Sequence, residues 1–434
     1  MLGEAGLRTA EEPFLERSKA PDAPPRNSVR DSVGALVKSV VGTGIFALPP
    51  AVRASGLVLG SALVLLMAAI SVFTLRATIY AVRALRRRGM GGSDGRIEFQ
   101  QMTSAAYPSA ATSITLLCVA GQLGSVLSYY ALVAGTLAPL VPGLHYTHVV
   151  VAMTALVAPL SLLRTTSHPA FSLAMSSGNV ACLLTIATVV GVGAMALWAD
   201  YESGEIEHLE LVDTRGVGLM FGVALHMFAC HMEVVSIEQD MADRSRFEHM
   251  LDCTFACLTA VFLAFGVFVY ICFGEATGRE WDDAAHTWVE STILHNLPTG
   301  MFVATVELAM SANLVFMTPI TLLPASKALE ELAGVTSDGA QAALRLTIVF
   351  AVAVGAVCLP DFELITGVTG ALSSISCFVM PALCYLMFCR DEMGRPEVVV
   401  ARAVAAFGWV VTAWSLFQIL TPGASDLSPP ETID

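Results

Sequence analysis

What this sequence lacks first is charge. Only 14% of its 434 residues are Asp, Glu, Lys or Arg, against 55% hydrophobic, and mean hydropathy is +0.68. A soluble chain carries nearer a quarter charged residues, so a water-soluble fold is excluded. Cysteine is present in ten places but never as CxxC, which argues against a zinc site or a disulfide framework. Cys253 and Cys257 share a helix face, and buried apolar cysteine, rather than a site, is the expected account of them. There is no N-x-S/T sequon, and the first 32 residues are polar and Pro-rich without an apolar core, so no cleavable signal peptide is expected. No basic face accompanies a soluble fold, which excludes nucleic acid as a partner. Phosphate-binding loops and paired catalytic acids are missing too. His226 and His231 are five apart, the wrong spacing for a metal pair on one helix face. No enzyme activity, metal or cofactor is therefore expected.

What the chain has in abundance is long apolar runs. A membrane-spanning helix needs about 20 largely apolar residues. Eleven segments qualify: 33–54, 56–80, 110–139, 147–163, 171–199, 216–237, 250–273, 298–323, 342–359, 362–388 and 403–421. The fourth is short, and Pro360 and Asp361 mark a tight turn between the ninth and tenth. The stretch from Ile97 to Tyr107 reads as a short interfacial helix. Residues 1–32 read as a disordered cytosolic arm and 422–434 as a short tail. With the N-terminus in the cytosol, the inner loops carry Arg83, Arg86, Arg87, Arg88, Arg96, Arg164, Arg244, Arg246, Lys327, Arg390 and Arg395. The opposite loops carry only Arg53, Arg215 and Arg279. That asymmetry sets the orientation, and it leaves the acidic loops 200–213 and 275–290 outside as solvated connections.

The first segment contains VVGTGIFALP, Val40 to Pro49. Gly42 and Gly44 interrupt what should be a membrane helix, Pro49 and Pro50 follow, and Lys38 lies one turn before the break. Unwound backbone at membrane depth survives only where it lines a cavity or touches protein. Ten of the eleven spans divide into two groups of five, 33–199 and 216–388, which start on opposite sides of the membrane. That is the condition for an inverted repeat, with 403–421 left over. Span 6 is then the partner of span 1 and should also be broken. It reads GVGLMFGVALHMFACHMEVVSIEQDM, with glycines at 216, 218 and 222 and with His226, His231 and Glu233 in one segment.

VGTGIFALP followed by ASGLVLG resembles the first-helix signature of the amino acid/auxin permease family, within the amino acid–polyamine–organocation superfamily; KSVVGTG is especially similar to its proton-coupled and vacuolar branches. FACHMEVVSIEQDM is similar to the sixth helix of its sodium-coupled neutral amino acid branch, where Cys230, His231 and Glu233 fall on a recurrent Cys-His-x-Glu; Met232 and Ser236 depart from it, standing where that branch has prolines. Tyr129 and Gly135 in span 3, and GVTGALSSISCFVMPAL ending near Pro381 in span 10, fit the same family. The resemblance covers about 30–420. It implies an all-α, multi-pass membrane protein of about 11 transmembrane helices. The implied fold is a leucine-transporter-type 5+5 inverted repeat with broken helices 1 and 6. It further implies transport of amino acids by alternating access, in a plasma or vacuolar/lysosomal membrane. The alternative is a sensor of the same fold that binds an amino acid and signals.

An amino acid brings a carboxylate and an ammonium to mid-membrane. N–H groups freed at Gly42, Thr43, Gly44 and Ile45 suit the carboxylate, helped by the positive end of a half-helix. Freed carbonyls suit the ammonium, and Phe228 and Ala229 would border the side-chain pocket. Lys38 stands where the sodium-coupled branch is expected to place an asparagine ligand, and Met317 stands where it has a hydroxyl, with Thr318 adjacent. Both departures point to sodium-independent transport with protons as the coupling ion. Lys38, His231, Glu233 and Glu307 are the coupling candidates, because ionisable groups within spans mark proton and ion paths. Each has a structural alternative. Lys38 would snorkel to the interface, His231 and Glu233 would hydrogen-bond each other to brace the break, and His226 would be a satisfied core histidine. Glu307 is open to pairing with Lys38.

Overall fold

The structure is a computed structural model that describes residues 27–91, 96–162, 169–203, 209–282, 287–290, 293–298 and 300–421. Most of the expected N-terminal arm, Arg164 and the tail 422–434 lie outside the described residues. The helices are α1 (Val29–Val40), α2 (Gly44–Ser55), α3 (Leu57–Arg87), α4 (Phe99–Ala106), α5 (Ala111–Leu137), α6 (Tyr146–Ser161), α7 (Pro169–Ser203) and α8 (Val217–Phe228). They continue with α9 (His231–Asp240), α10 (Phe247–Phe273), α11 (Met301–Leu332), α12 (Asp338–Cys358), α13 (Phe362–Ser374), α14 (Met380–Cys389) and α15 (Arg395–Leu420).

Among the described residues nine helices are long and apolar enough to cross a membrane, and the bent pair α1–α2 makes a tenth. The short α6 occupies the place of the fourth expected span. Every one of the eleven apolar segments is therefore helical, and α4 is the expected short helix between spans 2 and 3. Asp361 caps α13 through its carboxylate, which accepts from the Leu364 N–H at 2.9 Å. That cap turns the chain tightly between spans 9 and 10.

Span 1 bends by 52° at Val41–Thr43. Pro49 and Pro50 lie inside α2; lacking N–H groups, they leave the Ile45 and Phe46 carbonyls without their helical partners. Span 6 is interrupted at Ala229 and Cys230, between α8 and α9. Its glycines do not make that break. Gly218 donates its N–H to Gln418 Oε1 at 2.6 Å, and Gly222 and Gly370 bring the backbones of spans 6 and 10 so close that a Cβ on either would collide with the other helix. Span 10 carries a π-helical turn, Ile375–Val379, just before Pro381, an irregularity typical of functional helices.

The two faces of the bundle differ. The face where span 1 begins is basic, as expected. At the opposite face the acidic loops are not simply solvated connections. Leu57 N–H donates to Glu210 O and Val58 N–H to Leu211 O, both at 2.9 Å. Asp213, largely buried, is raised by burial, but hydrogen bonds from Arg215 outweigh this and hold its carboxyl below the ordinary range. The loop after span 7 contains an antiparallel two-stranded hairpin, Arg279–Asp282 with Thr287–Glu290, the departure from an all-α chain. Its base lies over α2: buried Arg53 donates to the Thr277 carbonyl, and Gly278 sits against Pro50. Asn296 ties this loop to itself, donating to Ala276 O at 2.7 Å and accepting from Gly278 N–H at 2.9 Å.

Candidate functional site

The two helix breaks meet. A Cβ added to Gly44 would lie 2.9 Å from Met227 Cγ and 3.1 Å from His226 Cδ2, so a side chain larger than hydrogen would push α2 off the end of α8. Gly42 differs, with nothing within 4 Å of an added Cβ. One glycine is there for close approach and the other borders open space. The positive N-terminal end of α2 therefore meets the negative C-terminal end of α8, which places both signs of helix dipole at one point in mid-membrane.

Among the described residues the N–H groups of Gly42, Thr43, Gly44 and Ile45 make no backbone hydrogen bond, while Phe46 N–H already returns to Thr43 O at 3.0 Å. Thr43 and Ile45 are buried, and the Thr43 hydroxyl lies 3.4 Å from Ser128 Oγ of span 3. Span 3 thus forms a wall beside the first break. Phe228 is placed elsewhere: its ring stacks on Phe255 at 5.9 Å and meets Phe262 at 5.8 Å, both on span 7. Only its backbone reaches the break. Ala229 is half-buried there, and so is His226.

His226 is not the satisfied core histidine weighed above. Its ring packs against Gly44, at the last turn of α8, and no side-chain hydrogen bond to it occurs among the described residues. Its proximity to the site could have been read from its place three residues before the break. Its orientation could not, because that depends on α2.

Lys38 is half-buried in the last turn of α1, where the negative end of the half-helix favours a cation. It has no acidic partner among the described residues. The Lys38–Glu307 pairing left open by the sequence does not form. Lys38 lies on the basic side of the first break, whereas Glu307 is in the second turn of span 8, which starts at the opposite face. Glu307 is buried, with Oε2 unpartnered among the described residues.

His231 and Glu233 do not bond each other either. Two residues along a helix turn the side chain by about 200°, so the pair faces opposite ways. Buried His231 places Nε2 2.8 Å from Thr74 Oγ1 on span 2. The Thr74 hydroxyl has one proton and reaches the Ile70 and Ser71 carbonyls at 3.0 and 3.1 Å. With that proton committed to its own helix, the imidazole donates through Nε2, and Nδ1 is left as a buried acceptor without a donor among the described residues. Glu233 is exposed, although it sits mid-bundle within electrostatic reach of Cys118 and Tyr129 on span 3 and of Cys377 on span 10. Glu233 thus combines an accessible side chain with neighbours on spans 3 and 10. Met232 points to span 3, where Gln122 Nε2 lies 3.9 Å from its sulfur. On span 8, Thr318 is fully buried and donates to Leu314 O at 2.8 Å, so its hydroxyl is turned to its own helix.

Comparison with known proteins bears on this arrangement. A family model described as transmembrane amino acid transporter protein matches residues 25–424. The chain is 28% identical to amino acid transporter AVT3C of Arabidopsis thaliana, over 90% of this chain and 91% of that one. It is 24% identical to vacuolar amino acid transporter 3 of Schizosaccharomyces pombe, over 68% of this chain and 42% of the relative. The solved structure of MhsT in complex with L-phenylalanine superposes with a TM-score of 0.55 at 12% identity, covering 92% of this chain and all of that one. This likeness establishes the leucine-transporter-type fold, with helices 1 and 6 broken as in the arrangement above.

Proposed function

The chain belongs to the transmembrane amino acid transporter family, and on that premise we propose that it carries amino acids by alternating access, coupled to protons and independent of sodium. The observation that carries this reading is the meeting of the two breaks at Gly44 and His226–Met227, with unpaired N–H groups at Gly42 to Ile45. The substrate carboxylate binds those N–H groups, and its ammonium binds carbonyls at the ends of α1 and α8. Ala229 and the backbone of Phe228 border the side chain. Small residues around the break favour neutral substrates.

For coupling, Lys38 holds a fixed positive charge where a sodium-driven relative would hold a metal ion, and the Thr318 hydroxyl is turned to its own helix. His231, with an open Nδ1, and Glu233, accessible beside spans 3 and 10, carry the proton. Glu307 is a buried carboxyl further along the path. One pH unit supplies about 1.4 kcal/mol per proton, and a potential of 100 mV about 2.3 kcal/mol per charge. With one proton per substrate, the first sets a limit of about ten-fold accumulation of a neutral amino acid and the second about fifty-fold. In this reading residues 33–199 and 216–388 are the two repeats, 403–421 is an added helix, and the N-terminus is cytosolic. The membrane is the plasma membrane or that of a vacuole or lysosome.

The test is uptake into proteoliposomes with an imposed pH gradient and a panel of competing amino acids. Uptake should follow the gradient and persist when choline replaces sodium at fixed pH and voltage. A strict sodium requirement would overturn the coupling. Binding without flux would favour a sensor.

A further inference from the structure

Away from the breaks, on the basic face, a cavity of about 480 Å³ opens where spans 2 and 6 end and span 7 begins. Its lining is Arg83, Arg86, Arg87, Glu238, Arg244 and Ser245. The carboxylate is the organiser. Glu238 is 1% exposed, accepts from Arg83 Nε at 3.0 Å and has Arg86 Nη2 4.0 Å from its other oxygen. Counter-charges outside the lining are Glu248, which accepts from Arg83 Nη1 at 3.1 Å, and Glu392, which accepts from Arg87 at 2.8 and 2.9 Å. Four guanidiniums line the cavity with one carboxylate, Glu238; Asp243, which accepts from Ser245 N–H, is itself paired with Arg246 at 3.1 Å. Arg244 gives Nη2 to Gln239 O at 2.8 Å, and its Nε is buried without an acceptor among the described residues.

We propose that this cavity binds a phosphorylated inositol, either as the headgroup of a membrane lipid or free in solution. Guanidinium forks match phosphate oxygens and bind them with paired, charge-assisted hydrogen bonds. The volume lies within the range of small-molecule sites, about 300–1,000 Å³, and leaves room for more than one phosphate. Among the described residues no aromatic side chain lines it on which a nucleobase could stack. The face is the one that the orientation proposed above puts in the cytosol, where anionic lipids concentrate against basic segments. Glu238 also lies near the end of α9, the half-helix that carries His231 and Glu233. A polyphosphate that draws Arg83 and Arg86 from Glu238 loosens the hold on α9, so occupancy bears on transport.

The test uses the full-length protein in phosphatidylcholine nanodiscs. One arm titrates soluble inositol hexakisphosphate by calorimetry; the other adds phosphatidylinositol bisphosphate to the nanodisc and reads lipid retention by native mass spectrometry. Binding in both arms, or in either alone, upholds the site and identifies the source. Affinity should fall with added potassium chloride and by about five-fold for each of Arg86→Gln and Arg244→Gln. In the wild-type protein, phenylglyoxal labelling of Arg86 and Arg244 should slow about five-fold at saturating ligand. No binding in either arm, or binding that leaves labelling and salt dependence unchanged, overturns the proposal.

Discussion

The two helix breaks that meet in mid-membrane arise differently. The first contains Gly42 and Gly44 and is followed by Pro49 and Pro50, so its backbone is weak before any neighbour is considered. The second, at Ala229 and Cys230, has neither glycine nor proline, and Ala229 takes φ −79° and ψ 76°, a conformation open to any residue. The glycines of that span lie ahead of the break, in and just before α8, and bring it against span 10 and Gln418. One break is thus encoded locally. The other is held by its surroundings: Phe228 locked between two rings of span 7, His231 bonded to Thr74, and α9 fastened by Glu238 and Gln239.

This contrast can be broken most sharply at Gly44. Gly44→Val places methyl groups where Met227 and His226 already sit; overpacking costs about 1–3 kcal/mol, and displacing the meeting point should cut uptake at least about 100-fold. Gly42→Ala, in open space, should leave uptake within about three-fold, since a glycine-to-alanine change by itself is worth only about 1 kcal/mol. Equal losses in a flux assay would mean that both glycines serve the break alone. Next comes His231→Ala. It should lower proton-driven uptake about ten-fold or more and flatten its pH profile, whereas His231→Gln, whose amide reaches the Nε2 position, should keep the bond to Thr74 without restoring the profile. An intact profile in the alanine variant would remove His231 from the proton path.

Phe228→Leu tests where that ring points. Loss of the stacking on span 7 should lower the melting free energy by about 1–2 kcal/mol and leave KM within about two-fold; a large KM change with unchanged stability would return the ring to the substrate pocket. Smallest of all, Ala229→Gly should alter uptake by less than about three-fold, because alanine already tolerates the observed backbone. A large gain or loss there would show that the second break has a local component after all.

The local element was legible in advance. The apolar segments, the turn at Asp361, the short helix after Ile97 and the break at VVGTGIFALP follow from hydropathy, capping and glycine placement within one stretch of chain. The site was legible in part. The residues near the breaks were identified, but the pairings guessed for Lys38, Glu233 and Glu307 did not form, and His226 was placed in the core. Those guesses concerned which way a side chain turns and at what depth its partner lies, and span order alone does not supply either.

The sequence by itself determined that this protein lives in a membrane, which segments are its apolar helices, and where its first helix must come apart. These are properties of single segments in a uniform apolar solvent, where each residue's transfer energy and each missing N–H act independently. Only the tertiary structure decided that Gly44 abuts His226, that Phe228 turns to span 7 while His231 turns to span 2, and that four arginines gather around Glu238. Such contacts join residues far apart in the chain, and in lipid, where helices gain little from burying apolar surface against one another, close packing and polar contacts select them.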